Sequence, residues 1–165
     1  MEAATQNNIY KVLKAFIESF ATDYIVMQGQ QNRVPPPKKK FVVMQEIGRS
    51  RLATNLRNYY AEGDNELQQN ITSTEISIQI DIYGPDSADI AQQFEILFRD
   101  YIAADFFPKN IAPLYCENFR QIALQDTEKQ YNQRWTTTAK FNILPETITK
   151  IEFIHDISTY LFPLN

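Results

Sequence analysis

The side chains that carry most enzyme chemistry are scarce in this 165-residue chain, which has one cysteine, Cys116, and one histidine, His155. A cysteine nucleophile needs a base beside it, and zinc needs several His or Cys ligands. Nothing in the spacing brings Cys116 and His155 together. The sequence therefore predicts no Cys–His catalysis and no metal, and it favours a hydrogen-bonded structural role for His155.

Three carboxylates, Asp81, Asp86 and Asp89, lie where a predicted strand ends and a helix begins. Carboxylates so placed have the right chemistry for a metal ion or an acid–base pair. Helix capping and solvent exposure explain them more simply, because acidic side chains stabilise the positive end of a helix. With only four glycines, a glycine-rich phosphate loop is also hard to build. We therefore expect no enzyme and no cofactor.

The chain has four noteworthy cations: Arg49, Arg51, Arg57 and Arg134. Solvation or an ion pair within the subunit is the ordinary role for each of them. The functional alternative is pairing with acidic residues of another subunit.

The element that must position these residues is the stretch from Thr72 to Gly84. Strict alternation of apolar and polar residues predicts a half-buried antiparallel strand. Its inward side chains are Ile76, Ile78, Ile80 and Ile82, and its outward ones are Glu75, Ser77, Gln79, Asp81 and Tyr83. Burial of four isoleucines contributes on the order of 6–12 kcal/mol before chain entropy is subtracted.

Two amphipathic helices are predicted, over residues 5–21 and 86–105, from apolar residues spaced three and four apart. Further strands are predicted at 41–47, 119–126, 135–143 and 148–158, with a short extended piece at 24–27 and a bulge or bend at 48–51. Residues 109–118 are expected to form a loop. This order predicts an α+β fold: a twisted, mainly antiparallel sheet with the two helices packed on one face.

Two segments are expected to project from a single domain that spans residues 1–165. Residues 28–40 contain Pro35–Pro37 and Lys38–Lys40, which favour a stiff connecting loop; a proline-rich ligand for a partner is the alternative. Residues 49–71 form either a long loop or a long hairpin that turns at Gly63–Asn65.

Composition narrows the possible partners. The net charge of −4 argues against general, non-specific binding of nucleic acid, which needs a basic surface. No apolar run approaches the roughly 20 residues of a membrane span, and the first residues do not resemble a signal peptide. A lone cysteine favours a reducing compartment. These features predict a soluble protein made in the cytoplasm, with no membrane partner.

Several segments together resemble the bacteriophage neck or tail-terminator family over residues 16–145. The most specific part is Tyr83-Gly84, which leads from the alternating strand straight into the second helix. The other matching parts are residues 24–27, 41–44, 47–55 and 76–82, Ala88 and Ala91 in the helix, residues 120–122, Gln130, Arg134-Trp135 and Phe141.

This resemblance implies a structural virion protein that assembles into a ring, commonly a hexamer. Such a ring caps the finished tail tube and joins the head connector, and DNA passes through its lumen without being read. The expected interface residues are Arg49, Arg51, Tyr59, Tyr60, Arg134 and Trp135. The alternatives are another tail-completion or baseplate component, or a small cytosolic adaptor that binds a protein partner.

Overall fold

The computed structural model describes residues 5–29, 37, 40–125 and 131–152. In chain order the elements are α1 (Gln6–Glu18), β1 (Ile25–Gln28), β2 (Phe41–Arg51), β3 (Leu56–Glu62), β4 (Asn65–Ile71), β5 (Thr74–Tyr83), α2 (Ser87–Phe98), α3 (Tyr101–Phe106), β6 (Ile111–Cys116), β7 (Arg120–Gln125), β8 (Tyr131–Ile143) and β9 (Glu146–Ile151).

The main sheet has six strands in the order β1-β2-β5-β8-β6, with β7 also pairing with β8. All pairings are antiparallel except that of β1 with β2. The predicted Thr72–Gly84 strand is β5 and lies at the centre. The predicted bulge near Gly48 is present, since the β2–β5 register shifts between Glu46 and Gly48. The α+β class is confirmed.

The helices cover one face of the main sheet. All four isoleucines of β5 are buried there, at no more than 1% exposure. Phe16 of α1 lies at the centre of an aromatic cluster, with ring centroids 5.3–6.3 Å from those of Phe20, Phe94, Phe98, Phe106 and Phe107. Rings at these separations pack edge to face or tilted, which adds to the area they bury.

A second sheet, which we call the arm sheet, consists of β3, β4 and β9 in that order. It continues the three central strands of the main sheet: β3 follows β2, β4 precedes β5, and β9 follows β8. At the junction, Leu52 N donates to Ser73 O at 2.9 Å and Thr72 N donates to Pro145 O at 3.1 Å. Within the described residues, the three central strands therefore extend past the helix layer as a three-stranded sheet.

Residues 56–71, for which the sequence allows a loop or a hairpin, form the β3–β4 hairpin. Glu62 pairs with Asn65, so the connection is Gly63-Asp64. Gly63 has φ +59°, a left-handed conformation that is required at the first position of the tight turns that join hairpin strands. A side chain at this position would strain the turn.

Three expectations about the elements are wrong. The helix expected at 86–105 is two helices, because the chain leaves helical geometry at Asp100, where ψ is 164°. The break lets Phe107 turn into the core while Tyr101 stays exposed. Residues 109–118 contain a strand, β6, rather than a loop. Pro113 is tolerated there because β6 is an edge strand with a register shift beside the proline.

The last strand is also placed differently. It begins at Glu146 rather than Ile148, and it pairs with β4 in the arm sheet. Several predictions concern residues outside the described ranges: the Pro35-Pro36 and Lys38-Lys39 parts of the loop, Gln130, Phe153, His155 and the continuation of the last strand to Ser158.

Candidate subunit interface

The arm sheet is the part of the described chain that no helix covers. Every residue of β3 is exposed, and so is every residue of β9 except Ile151. On β4, Leu67 is buried at 8% exposure. A sheet with one buried apolar side chain has little core of its own, so its stability depends on strand pairing and on whatever packs against it.

Cross-strand pairs place alternate residues of the three strands on one face, which we call the ladder face. A row of polar side chains crosses it: Asn58 Nδ2 donates to Gln69 Oε1 at 3.0 Å, and Gln69 Nε2 donates to Glu146 Oε2 at 2.6 Å. The members of the ladder face are Leu56, Asn58, Tyr60, Glu62, Asn65, Leu67, Gln69, Ile71, Glu146, Ile148 and Lys150.

Exposed apolar groups flank this polar row. Leu56 is 60% exposed, Ile148 is 51% exposed and Tyr60 is 37% exposed. All three lie on the two outer strands, β3 and β9. Large apolar side chains that share one exposed face are typical of a surface that contacts another protein.

The two predicted interface tyrosines lie on opposite faces of the arm sheet. Tyr60 is on the ladder face beside Leu67, its cross-strand partner. Tyr59 is on the other face, is 54% exposed, and takes part in an interaction within the chain. Sequence adjacency on a strand separates them, since successive side chains point to opposite sides.

Arg49 and Arg51 lie at the end of β2, next to the junction with the arm sheet. Arg49 forms an ion pair with Glu46, which also accepts from Gln6 Nε2 at 3.0 Å. The guanidinium of Arg49 holds the pKa of the Glu46 carboxyl below its usual range. Arg51 donates to Ala53 O at 2.7 Å and to Asn55 Oδ1 at 2.9 Å. Both arginines therefore have partners within the subunit, Arg49 in the main sheet and Arg51 in the connection to the arm sheet.

Arg134 and Trp135 lie together on β8, on opposite faces of the main sheet. Arg134 makes a two-pronged contact with Asp81, with Nε to Oδ1 at 3.1 Å and Nη2 to Oδ2 at 2.9 Å. Its guanidinium carbon also lies 5.6 Å from the centroid of the Tyr83 ring. Trp135 packs against the core, and its buried indole N–H has no hydrogen-bond partner among the described residues.

The face of the main sheet opposite the helices carries charges that are matched in pairs. Besides the Arg134–Asp81 pair, Lys140 Nζ lies 2.9 Å from Glu75 Oε1 and 5.4 Å from the Tyr115 ring centroid. Pairing raises the pKa of Lys140, first through the hydrogen bond to Glu75. Carboxylates next to these two cations neutralise them, so they attract a phosphate backbone less than unpaired cations would.

Among the described residues with possible chemistry, Asp81 and Asp86 form ion pairs within the subunit. Cys116 is buried, and burial raises the pKa of its thiol, which lowers its reactivity. Asp86 and Asp23 pair with Lys40, which also lies 5.6 Å from the Tyr24 ring centroid. No group of three or more His, Cys, Asp or Glu that could hold a metal occurs within the described ranges. No helix there is long and apolar enough to cross a bilayer.

The interface candidates brought together by the fold are thus Tyr59 and Tyr60 on the arm sheet, with Arg49 and Arg51 at its base. Arg134 and Trp135 lie apart on the main sheet. Sequence reasoning missed Leu56 and Ile148. The alternation of Glu146, Ile148 and Lys150 indicates a strand with both charged and apolar side chains on one face. The spacing does not indicate which strand pairs with it.

A family model described as Phage neck terminator protein matches residues 7–162, which is nearly the whole chain. No curated protein matches the chain.

Proposed function

Because the chain belongs to the phage neck terminator protein family, we propose that it is the repeating subunit of a homo-oligomeric ring, a hexamer, in the neck of the virion. The family match alone identifies the chain as a structural protein of the phage neck and a component of the virion. The ring, its contacts with neighbours and the passage of DNA are the proposal.

In this proposal the ring caps the finished tail tube and joins it to the head connector. The subunit is made in the host cytoplasm and acts by assembly, without catalysis and without a cofactor. Support comes from the shape of the subunit: a self-contained main sheet with a helix layer, and an arm sheet that reaches beyond it. A ring subunit needs two different patches that fit each other, and the two edges of the arm sheet are two different surfaces of this kind.

The charge distribution supports passage of DNA without specific binding. The chain is acidic overall. Among described cations, Lys40, Arg49, Arg134 and Lys140 each lie next to at least one carboxylate. A protein that held DNA firmly would present unpaired cations to several phosphates. We therefore expect negligible binding of double-stranded DNA at 150 mM salt, measured by fluorescence anisotropy.

The experiment that tests the proposal is the mass of the purified protein by light scattering, alone and after addition of tail tubes that lack their terminator. The expected result is a discrete ring-sized species, formed alone or on the tubes, that caps one tube end in electron micrographs. A protein that stays monomeric and leaves the tubes uncapped would contradict the proposal.

A further inference from the structure

The outer strands of the arm sheet contain no proline and no register shift, and the edge protection that they do carry is charged side chains such as Glu62 and Lys150. No described strand lies beyond β3 on one side or beyond β9 on the other. β3 has seven residues without proline and keeps an unbroken register with β4. Two edge strands of the main sheet differ from them, since β1 has four residues and β6 contains Pro113 and a register shift. The third, β7, resembles them, with six residues and an unbroken register to β8. Short strands, prolines and bulges are ordinary edge protection.

Strand direction decides how two copies can join through these edges. β3 and β9 run in the same direction, because each is antiparallel to β4. Rotation about a ring axis brings β3 of one copy beside β9 of the next without reversing it, so the pairing is parallel and heterologous. A two-fold dimer would instead pair β3 with β3, antiparallel.

We infer that β9 of one subunit pairs in parallel with β3 of a second copy of this chain, so that the arm sheets join into one continuous band. This inference rests on the ring proposed above and adds the contact that closes it. The second copy fits as the occupant because the two edges that no described strand pairs with belong to one sheet and are close in length, with six residues in β9 and seven in β3.

One register makes the two edges complementary. Alignment of Ile148 with Tyr60 places two half-exposed apolar side chains together on the ladder face. The same register places Lys150 beside Glu62. It also places Glu146 beside Asn58, which extends the polar row of each subunit into the next.

Among the ion pairs of the described residues, none joins Lys150 to Glu62 within one subunit. Within one subunit these residues lie on the two outer strands, with β4 between them. Two strand spacings separate their backbones by about 10 Å, and the offset along the strands adds to this. An ion pair within one subunit would need both side chains fully extended. Adjacent strands of neighbouring copies would bring the two charged groups into direct contact.

Charge reversal tests this contact without touching the core. Glu62→Lys alone and Lys150→Glu alone should each weaken association by about tenfold or more, since each places like charges side by side. The double variant Glu62→Lys/Lys150→Glu should associate like the parent. An equimolar mixture of the two single variants should also assemble, because alternating copies restore opposite charges at every contact. Light scattering measures all four samples.

Engineered disulfides test direction and register. In the inferred register Ala61 and Thr149 are neighbours on adjacent strands, about 4.8 Å apart, a separation that a disulfide can span. Ala61→Cys/Thr149→Cys should give a ladder of covalent oligomers under mild oxidation. The matched control Arg57→Cys/Thr149→Cys places the cysteines about 13 Å apart and should not cross-link. The native Cys116 is buried and leaves the parent chain as a clean reference.

The outcomes separate this inference from the proposed function. A covalent ladder that ends at the ring size, together with rescue by the charge-swapped double variant, supports β9–β3 pairing. If the parent forms a ring-sized species but the double-cysteine variant gives no covalent ladder and charge reversal does not change association, the β9–β3 pairing is wrong and the proposed ring still stands. A covalent dimer from Ala61→Cys alone shows antiparallel β3–β3 contact and overturns the pairing. A monomer that neither cross-links nor caps tail tubes contradicts both.

Discussion

The main sheet and the arm sheet are joined by three chain connections, β2 to β3, β4 to β5 and β8 to β9, but they differ in what covers them. In the main sheet, Ile78 and its three β5 neighbours lie beneath α1, α2 and α3, and the aromatic cluster around Phe16 fills the layer. In the arm sheet, Leu67 is the one buried apolar side chain among described residues. A two-layer unit is stable by itself, whereas one exposed layer needs a partner. The first region makes the subunit, and we propose that the second makes the assembly.

The largest expected difference between the two regions comes from an aspartate placed on each. Ile78→Asp should unfold the subunit, because it buries an unpaired charge beneath the helices. Its matched control, Ile148→Asp, changes a half-exposed residue of the arm sheet and should leave the subunit folded. Circular dichroism and thermal melting measure both. A soluble, cooperatively melting Ile78→Asp variant would contradict the placement of β5.

Aromatic truncation gives the next largest contrast. Phe16→Ala removes the ring at the centre of the aromatic cluster and should lower the free energy of unfolding by about 3–5 kcal/mol. Tyr59→Ala/Tyr60→Ala should change it by about 1 kcal/mol or less, because both rings are exposed. The double variant should nevertheless assemble more weakly. Urea melts and sedimentation velocity test the pair; a large loss of subunit stability would show that the tyrosines are core residues.

Charged residues of the two regions should also differ. Asp81→Ala leaves the half-buried guanidinium of Arg134 without its carboxylate and should cost about 1–3 kcal/mol of unfolding free energy. Glu62→Ala, on the arm sheet, should cost about 0.5 kcal/mol or less. If Asp81→Ala and Glu62→Ala lower the free energy of unfolding equally in urea melts, the Arg134–Asp81 pair contributes no more to stability than an exposed charge does.

The smallest expected effect is a dependence on pH at the base of the arm. Arg49 lowers the pKa of Glu46 in the folded subunit. The pair therefore contributes stability above the usual glutamate pKa, and that contribution is lost as the pH falls through the lowered value. Between pH 6 and pH 3, Arg49→Gln should lose less stability than the parent, by about 0.5 kcal/mol, since the arginine is partly exposed. Urea melts at both pH values measure this. Identical losses of stability in the parent and the variant would show that the Arg49–Glu46 pair contributes nothing to the pH dependence.

A region is predictable from the sequence when the residues that interact in it are close together along the chain. The alternation around Ile78 determined both the strand and its buried face, because that signal is local. The break at Asp100 was missed because neither glycine nor proline marks it in the sequence. Residues 109–118 were expected to form a loop, yet β6 forms there because an edge position tolerates Pro113. The β4–β9 pairing joins residues such as Gln69 and Glu146, which are 77 positions apart, and no local pattern reports it.

The candidate interface was predictable in part for the same reason. Tyr59 and Tyr60 were predicted as interface residues because the polar segment around them offers no core to enter. Both are exposed on the arm sheet. Their separation onto opposite faces follows from strand alternation. The roles of Arg134 and Arg49 within the subunit depend on Asp81 and Glu46, contacts that only the folded chain reveals.

The most direct test of the account is amide hydrogen exchange, compared between the assembled protein and a Glu62→Lys variant held as a monomer. The account predicts that assembly slows exchange at the edge strands β3 and β9, while the amides of β5 stay equally protected in both samples. Slower exchange at β1 or β6, with β3 and β9 unchanged, would contradict the assignment of the arm sheet as the assembly surface.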